Sequence, residues 1–216
     1  DARKIERVRC HMNRTTACLI ALLTLFPVDR VYATTPTVTS SADSHDANPG
    51  DGLCRDADGF CTLRAAVEEA NFSPYDTVLI AGGLDPIFLH LGAIVLTGAH
   101  ISIAGMESTV IIDGRFNPEG TDNFEIRGVG CHIWNCTIAH SRRHGVRILA
   151  SNAMIGEPGT RTILVGNGST DSTSAAISIE GVAQSGISVR SVWIGLKGNG
   201  TVTDPNQTGI RVLRSS

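Results

Sequence analysis

A succession of short apolar runs, each closed by Gly, Asn or Asp, begins after Pro74 and constrains this chain more than any other feature. The runs are Thr77–Ile80, Ile94–Leu96, Ile101–Ile103, Val110–Ile112, Phe124–Ile126 and His132–Trp134. They continue as Gly145–Ile148, Thr162–Val165, Ala176–Ile179, Gly186–Val189 and Gly209–Val212. β-Branched residues in runs this short, with turn formers between them, favour strands over helices. The runs also recur. Ile126 and Ile148 stand 22 residues apart, as do Ile133 and Ile155, while Ile187 and Ile210 stand 23 apart, as do Val189 and Val212. Such a period, without long helices, predicts a solenoid in which each coil lays its strands on the last and like apolar residues stack into one core. A β-sandwich also places strands about every 8–12 residues, so spacing alone leaves it as the alternative. At 42% hydrophobic and 18% charged residues, the chain has enough apolar material for a core and too little charge for wholesale disorder.

The first 33 residues read as a leader. Met12 is the expected start, with residues 1–11 upstream of it. Asn13 and Arg14 follow, then an apolar run from Ala17 to Phe26, a break at Pro27 and a cleavage context at Val31-Tyr32-Ala33. That run is far shorter than the roughly 20 residues a membrane span needs, so no transmembrane segment is expected in the mature chain. Cleavage after Ala33 removes six of the 18 basic and three of the 21 acidic residues, leaving 12 and 18, a net charge of −6. An acidic chain whose one remaining lysine is Lys197 is a poor nucleic-acid ligand. Residues 34–75 then form an entry region of loop, cysteine pair and helix, and residues 76–216 carry the coils. The chain stops at Arg214-Ser215-Ser216 without an evident cap, so a truncated solenoid is expected.

Four cysteines remain after the leader, and export permits disulfides. Cys54 and Cys61 flank a turn-rich hexapeptide, Arg55 to Phe60, that can fold back and bring them together. Cys131 and Cys136 differ. Were His132 to Thr137 one extended strand, their Cα atoms would lie roughly 16 Å apart, beyond the ~7 Å limit for a bridge. A bridge would need a corner between them, and reduced, buried thiols are expected. Between the two pairs, Thr62 is a good N-cap for a short helix ending at Asn71. Its Leu63, Ala66, Val67 and Ala70 fall on one face.

The segment Phe60-Cys61-Thr62-Leu63-Arg64-Ala65-Ala66-Val67-Glu68-Glu69-Ala70-Asn71, preceded by Asn48-Pro49-Gly50-Asp51-Gly52-Leu53-Cys54, resembles the signature of CSLREA-type domains. Ala65 stands where that family has Glu. Downstream, Ile103-Ala104-Gly105, Val110-Ile111-Ile112-Asp113-Gly114 and the stretch from Val192 to Ile210 resemble pectin-lyase-like β-helix repeats, with Gly166 to Ser174 as an irregular insertion. The resemblance implies an exported, all-β protein built as a right-handed parallel β-helix. It also implies that the short α-helix caps the first coil through Leu63, Ala66, Val67 and Ala70, with a Cys54–Cys61 bridge holding the entry loop. It does not imply one activity.

Three clusters are candidate sites. Asp43, Asp46, Asn48 and Asp51, with Asp56 and Asp58, form an oxygen-rich loop of the kind that suits Ca²⁺, although the spacing is not that of an EF-hand and solvated turns would look the same. Arg142, Arg143 and His144 offer cations for uronate carboxylates, and His144-Gly145 with Arg147-Ile148 faintly resembles polygalacturonase elements. No paired-aspartate motif accompanies them, and a basic solvent-facing corner is the plainer reading. Trp134, with His132 and His140, would give a face able to stack on a sugar. The leading expectation is therefore a secreted or cell-surface, non-catalytic module that binds a polysaccharide or a cell-surface partner. A polysaccharide lyase or glycoside hydrolase on the same scaffold is the alternative.

Overall fold

The computed structural model describes residues 35–74, 76–84, 86–107, 109–168, 172–181, 184–196 and 204–213. The expected leader, residues 1–33, lies outside them. The chain opens with β1 (Thr37–Val38) and α1 (Leu63–Ala70). A first round follows: β2 (Thr77–Ile80), β3 (Ile87–Phe88) and β4 (Ile94–Leu96). The second is β5 (Ser102–Gly105), β6 (Ile111–Asp113) and β7 (Phe124–Ile126), and the third β8 (His132–Trp134), β9 (Thr137–Ala139) and β10 (Val146–Ile148). The fourth is β11 (Met154–Ile155), β12 (Thr162–Val165) and β13 (Ile177–Glu180), and the fifth β14 (Ser188–Val189), β15 (Val192–Ile194) and β16 (Ile210–Leu213).

Each round contributes one strand to each of three sheets. Sheet I is β1-β2-β5-β8-β11-β14, sheet II is β3-β6-β9-β12-β15 and sheet III is β4-β7-β10-β13-β16. Every pairing is parallel. Among the described residues the fold is thus all-β and parallel with one helix. Register explains the core. Val78, Ile103, Ile133, Ile155 and Val189 align in sheet I, and Ile87, Ile112, Ile138, Leu164 and Ile194 in sheet II. Most of these side chains are fully buried in one continuous cluster.

Two of the expected spacings hold: Ile126 pairs with Ile148 and Ile133 with Ile155. The other two are coincidence. Val189 pairs with Ile155 in sheet I, whereas Ile210 and Val212 pair with Ile177 and Ile179 in sheet III. The later rounds carry longer connections, so a constant spacing in sequence no longer means a shared sheet.

The helix buries the expected face: Leu63, Ala66, Val67 and Ala70 are at most 1% exposed. Thr62 caps it, its Oγ1 accepting the Ala65 N–H at 3.1 Å and donating to the Ser44 carbonyl at 2.7 Å. The entry loop is held by charges as well as by the Cys54–Cys61 disulfide. Arg64, nearly buried, binds Asp43 at 2.7 Å and donates to the carbonyls of Gly92 and Ala93. Glu69 accepts the N–H groups of Gly50 and Gly52, both at 2.6 Å. Those glycines have φ of 92° and 83°, which a side chain would resist, and this backbone lets both amides converge on one carboxylate.

Asparagines satisfy the backbone at the corners. Asn123, Asn167 and Asn206 donate to the carbonyls of Ala139, Ile138 and Leu164, and Asn167 donates to Asn206 at 2.9 Å. The segment His132–Thr137 is not one strand, because Asn135, at φ 56°, turns the chain between β8 and β9. Even with that corner, Cys131 and Cys136 remain free and buried. Burial pushes the Cys136 thiol up to about 12, which leaves it inert.

Candidate functional site

Strand alternation sends the neighbours of the inward residues outward. In sheet II this gives two outward columns. Ile111, Thr137, Ile163 and Trp193 align in one, and Phe88, Asp113, Ala139 and Val165 in the other. An exposed parallel face would ordinarily be polar at these positions. Here most are apolar, and Ala139, Ile163 and Val165 form a second buried cluster with Trp193 packed against it. Over this floor lies a groove of about 570 Å³, bounded also by Pro86, Thr109 and Arg161. Arg161 stacks on Trp193 at 4.7 Å from the ring centre, and Arg115 lies 5.8 Å from the Phe88 ring centre.

One wall of the groove is charged. His140, at φ 50° just after β9, reaches two carboxylates from distant parts of the chain. Its Nδ1 lies 2.8 Å from Asp113 Oδ2 and its Nε2 2.6 Å from Asp204 Oδ2. Only an imidazolium can donate to both. The hydrogen bond to Asp113, partly offset by burial and reinforced by Asp204, raises the His140 pKa above its ordinary value. Arg115 donates to Asp113 from Nε at 3.0 Å and from Nη2 at 2.7 Å. Burial alone would raise Asp113, but the bonds from His140 and Arg115 prevail and hold it at about 2. With His140 charged, Asp113, Asp204, His140 and Arg115 sum to zero. The backbone opposite must be Gly166, where a Cβ would come 2.6 Å from His140 and 2.9 Å from Asp204.

This wall can accept hydrogen bonds from hydroxyl groups and the floor can stack on a ring. Asp113, held ionised, is not the raised-pKa carboxyl that serves as general acid in a carboxylate pair.

Of the residues singled out from sequence as candidate sites, His140 lies at this groove and the others lie elsewhere. Trp134 is half-buried on sheet I, its ring 4.3 Å from that of His132, whose Nε2 donates to the Gly156 carbonyl at 3.1 Å. His140 does not join them. Arg142 binds Glu119, and Arg143 binds Asp122 at 3.0 Å. His144 is 2% exposed and accepts the Ala175 N–H at 3.0 Å. Burial, aided by Arg143, lowers its pKa to about 4. The expected basic patch is therefore two ion-paired arginines and a buried neutral imidazole.

The oxygen-rich loop spends its oxygens internally. Asp43 binds Arg64 and accepts from the amides of His90 and Leu91. Asp46 accepts from Asn48 and Arg55 amides, and Asp51 from Leu53 and the Arg55 side chain, while Asn48 donates to Asp51. Asp56 accepts from Ser44, Phe60 and Asp58, whose own carboxylate joins no cluster. Among the described residues no group of three or more His, Cys, Asp or Glu is placed to hold a metal ion. Asp46, Asp51 and Asp56 anchor turns, and Asp43 ties the loop to Arg64 and to the His90–Leu91 backbone.

A sequence signal for the groove did exist. Ile111, Thr137 and Ile163 are 26 apart, as are Asp113, Ala139 and Val165. No family model, no curated protein and no solved structure matches this chain significantly.

Proposed function

We propose that this chain is an exported right-handed parallel β-helix of the CSLREA type. Its role would be that of a non-catalytic module binding a glycan or a cell-surface partner along the outside of sheet II. The rotation of successive strands through three parallel sheets supports the coil, and crossovers between parallel strands of one sheet are overwhelmingly right-handed. The leader-like residues and the Cys54–Cys61 bridge support export.

One observation carries the binding role: the outward positions of sheet II form an open apolar groove, whereas those of sheet III are closed by ion pairs. Preformed apolar grooves with a few placed polar groups are the usual form of ligand sites. The test is a panel of polysaccharides and cell-wall preparations, with the exported full chain assayed for retention and for product. Reversible retention is expected, with no new reducing ends and no unsaturated-uronate absorbance. Turnover, or retention on none of them, overturns the reading.

A further inference from the structure

We infer that the sheet II groove takes an uncharged hexose chain, laid along the direction in which the strands stack, with about one ring per round. This rests on the glycan reading above and narrows it to a ligand class and an orientation.

The orientation follows from the two outward columns. Both run across the strands, through β3, β6, β9, β12 and β15, at the ordinary strand spacing of about 4.8 Å. A pyranose ring in a linear chain advances by a comparable step, so successive rings can face successive strands. The floor offers apolar surface at Phe88 and Ile111 to ring C–H faces, with Thr137 a hydroxyl beside them and the buried Ile163 and Val165 beneath. Asp204, with about a third of its side chain exposed, can accept from ring hydroxyls at the wall.

The absence of charge on the ligand follows from the pairing of charge in the groove. Asp113 and Asp204 are bridged by His140 at 2.8 and 2.6 Å, Arg115 is spent on Asp113, and Arg161 lies over Trp193. A uronate placed here would set its carboxylate beside two others. A hexosamine would have to take one carboxylate from His140. Either brings a charge into an apolar groove whose counter-charges are already engaged. An uncharged sugar disturbs none of these pairs.

The experiment titrates the full chain at pH 6 with hexamers of 1,4-linked glucose, mannose and galactose. Oligogalacturonate and chitosan hexamers are the charged arms. At least one uncharged hexamer should bind, at least tenfold more tightly than either charged one, and with less than twofold change between 50 and 500 mM NaCl, roughly as expected when no ion pair forms. Ile163→Asp and Thr137→Lys should each weaken binding at least tenfold, while Arg147→Met on sheet III should leave it within twofold. Thr137 is half-exposed, so its variant tests the groove even if Ile163→Asp fails to fold. Preference for either charged hexamer overturns the inference and leaves the glycan reading standing. So does binding that both groove variants retain. Failure of every hexamer and every polysaccharide overturns both.

Discussion

Sheets II and III have the same backbone plan and opposite outer faces. Each holds five parallel strands, one from each round, and each sends an apolar column inward. Outward, sheet III aligns Val95, Glu125, Arg147, Ser178 and Arg211. There Arg147 bridges Glu125 at 3.3 Å and Glu180 at 2.6 Å, and Ser178 donates to Glu180 at 2.8 Å. Sheet II shows aliphatic and aromatic side chains instead. The histidines at the corner between the sheets divide the same way. His140 faces the groove as a charged bridge between two carboxylates, and His144, four residues on, is buried and neutral. The inward columns are where the fold is determined, and the outward ones are where the two faces come to differ.

The largest expected effect is common to both faces. Ile138→Ala in sheet II and Ile148→Ala in sheet III each remove a fully buried side chain, and each should cost about 2–5 kcal/mol in denaturant unfolding. A small loss in one sheet alone would break the claim that they share one core. Next comes Arg147→Met, which leaves Glu125 with Arg127 alone and Glu180 with Ser178 and His144, and should cost about 1–2 kcal/mol.

The pH dependence should separate the two histidines. His144 titrates at about 4 in the folded chain and near 6.5 unfolded, so the unfolded state binds the extra proton as pH falls between them. Stability should drop by about 3 kcal/mol over that window, and His144→Gln should flatten the limb. His140 acts in the opposite sense. Its folded pKa is raised, chiefly by the bond to Asp113, so its contribution is complete below the unfolded value and is lost as pH rises through the folded one. His140→Gln should remove that alkaline limb from a plot of Tm against pH. Arg115→Met is the smallest change, at about 0.5 kcal/mol, because Arg115 is half-exposed and Asp113 keeps His140. Equal losses for Arg115→Met and Arg147→Met would show the two faces to be more alike than described.

The inward pattern was legible in the sequence, because burial enforces apolar residues at a recurring spacing. The cap face at Leu63, Ala66, Val67 and Ala70 and the Cys54–Cys61 pair were legible for the same local reasons. The groove was not. Two of the strands that build it, Ile87–Phe88 and Thr137–Ala139, are too short to show alternation. Its wall joins His140 to Asp204, 64 residues away, and no local pattern announces such a contact. The Arg142–His144 run misled because sequence displays charges without their partners. Glu119, Asp122 and Glu180 come beside them only when the rounds stack.

The central claim is that ligand recognition belongs to the outside of sheet II. Amide spectra of the isotopically labelled chain, titrated with the tightest-binding uncharged hexamer, test it directly. Shifts are expected at Ile111, Asp113, Thr137, Ile163 and Val165, with Glu125, Arg147 and Ser178 unmoved. Shifts confined to sheet III or to Arg142–His144, or no shifts at saturating hexamer, would contradict it.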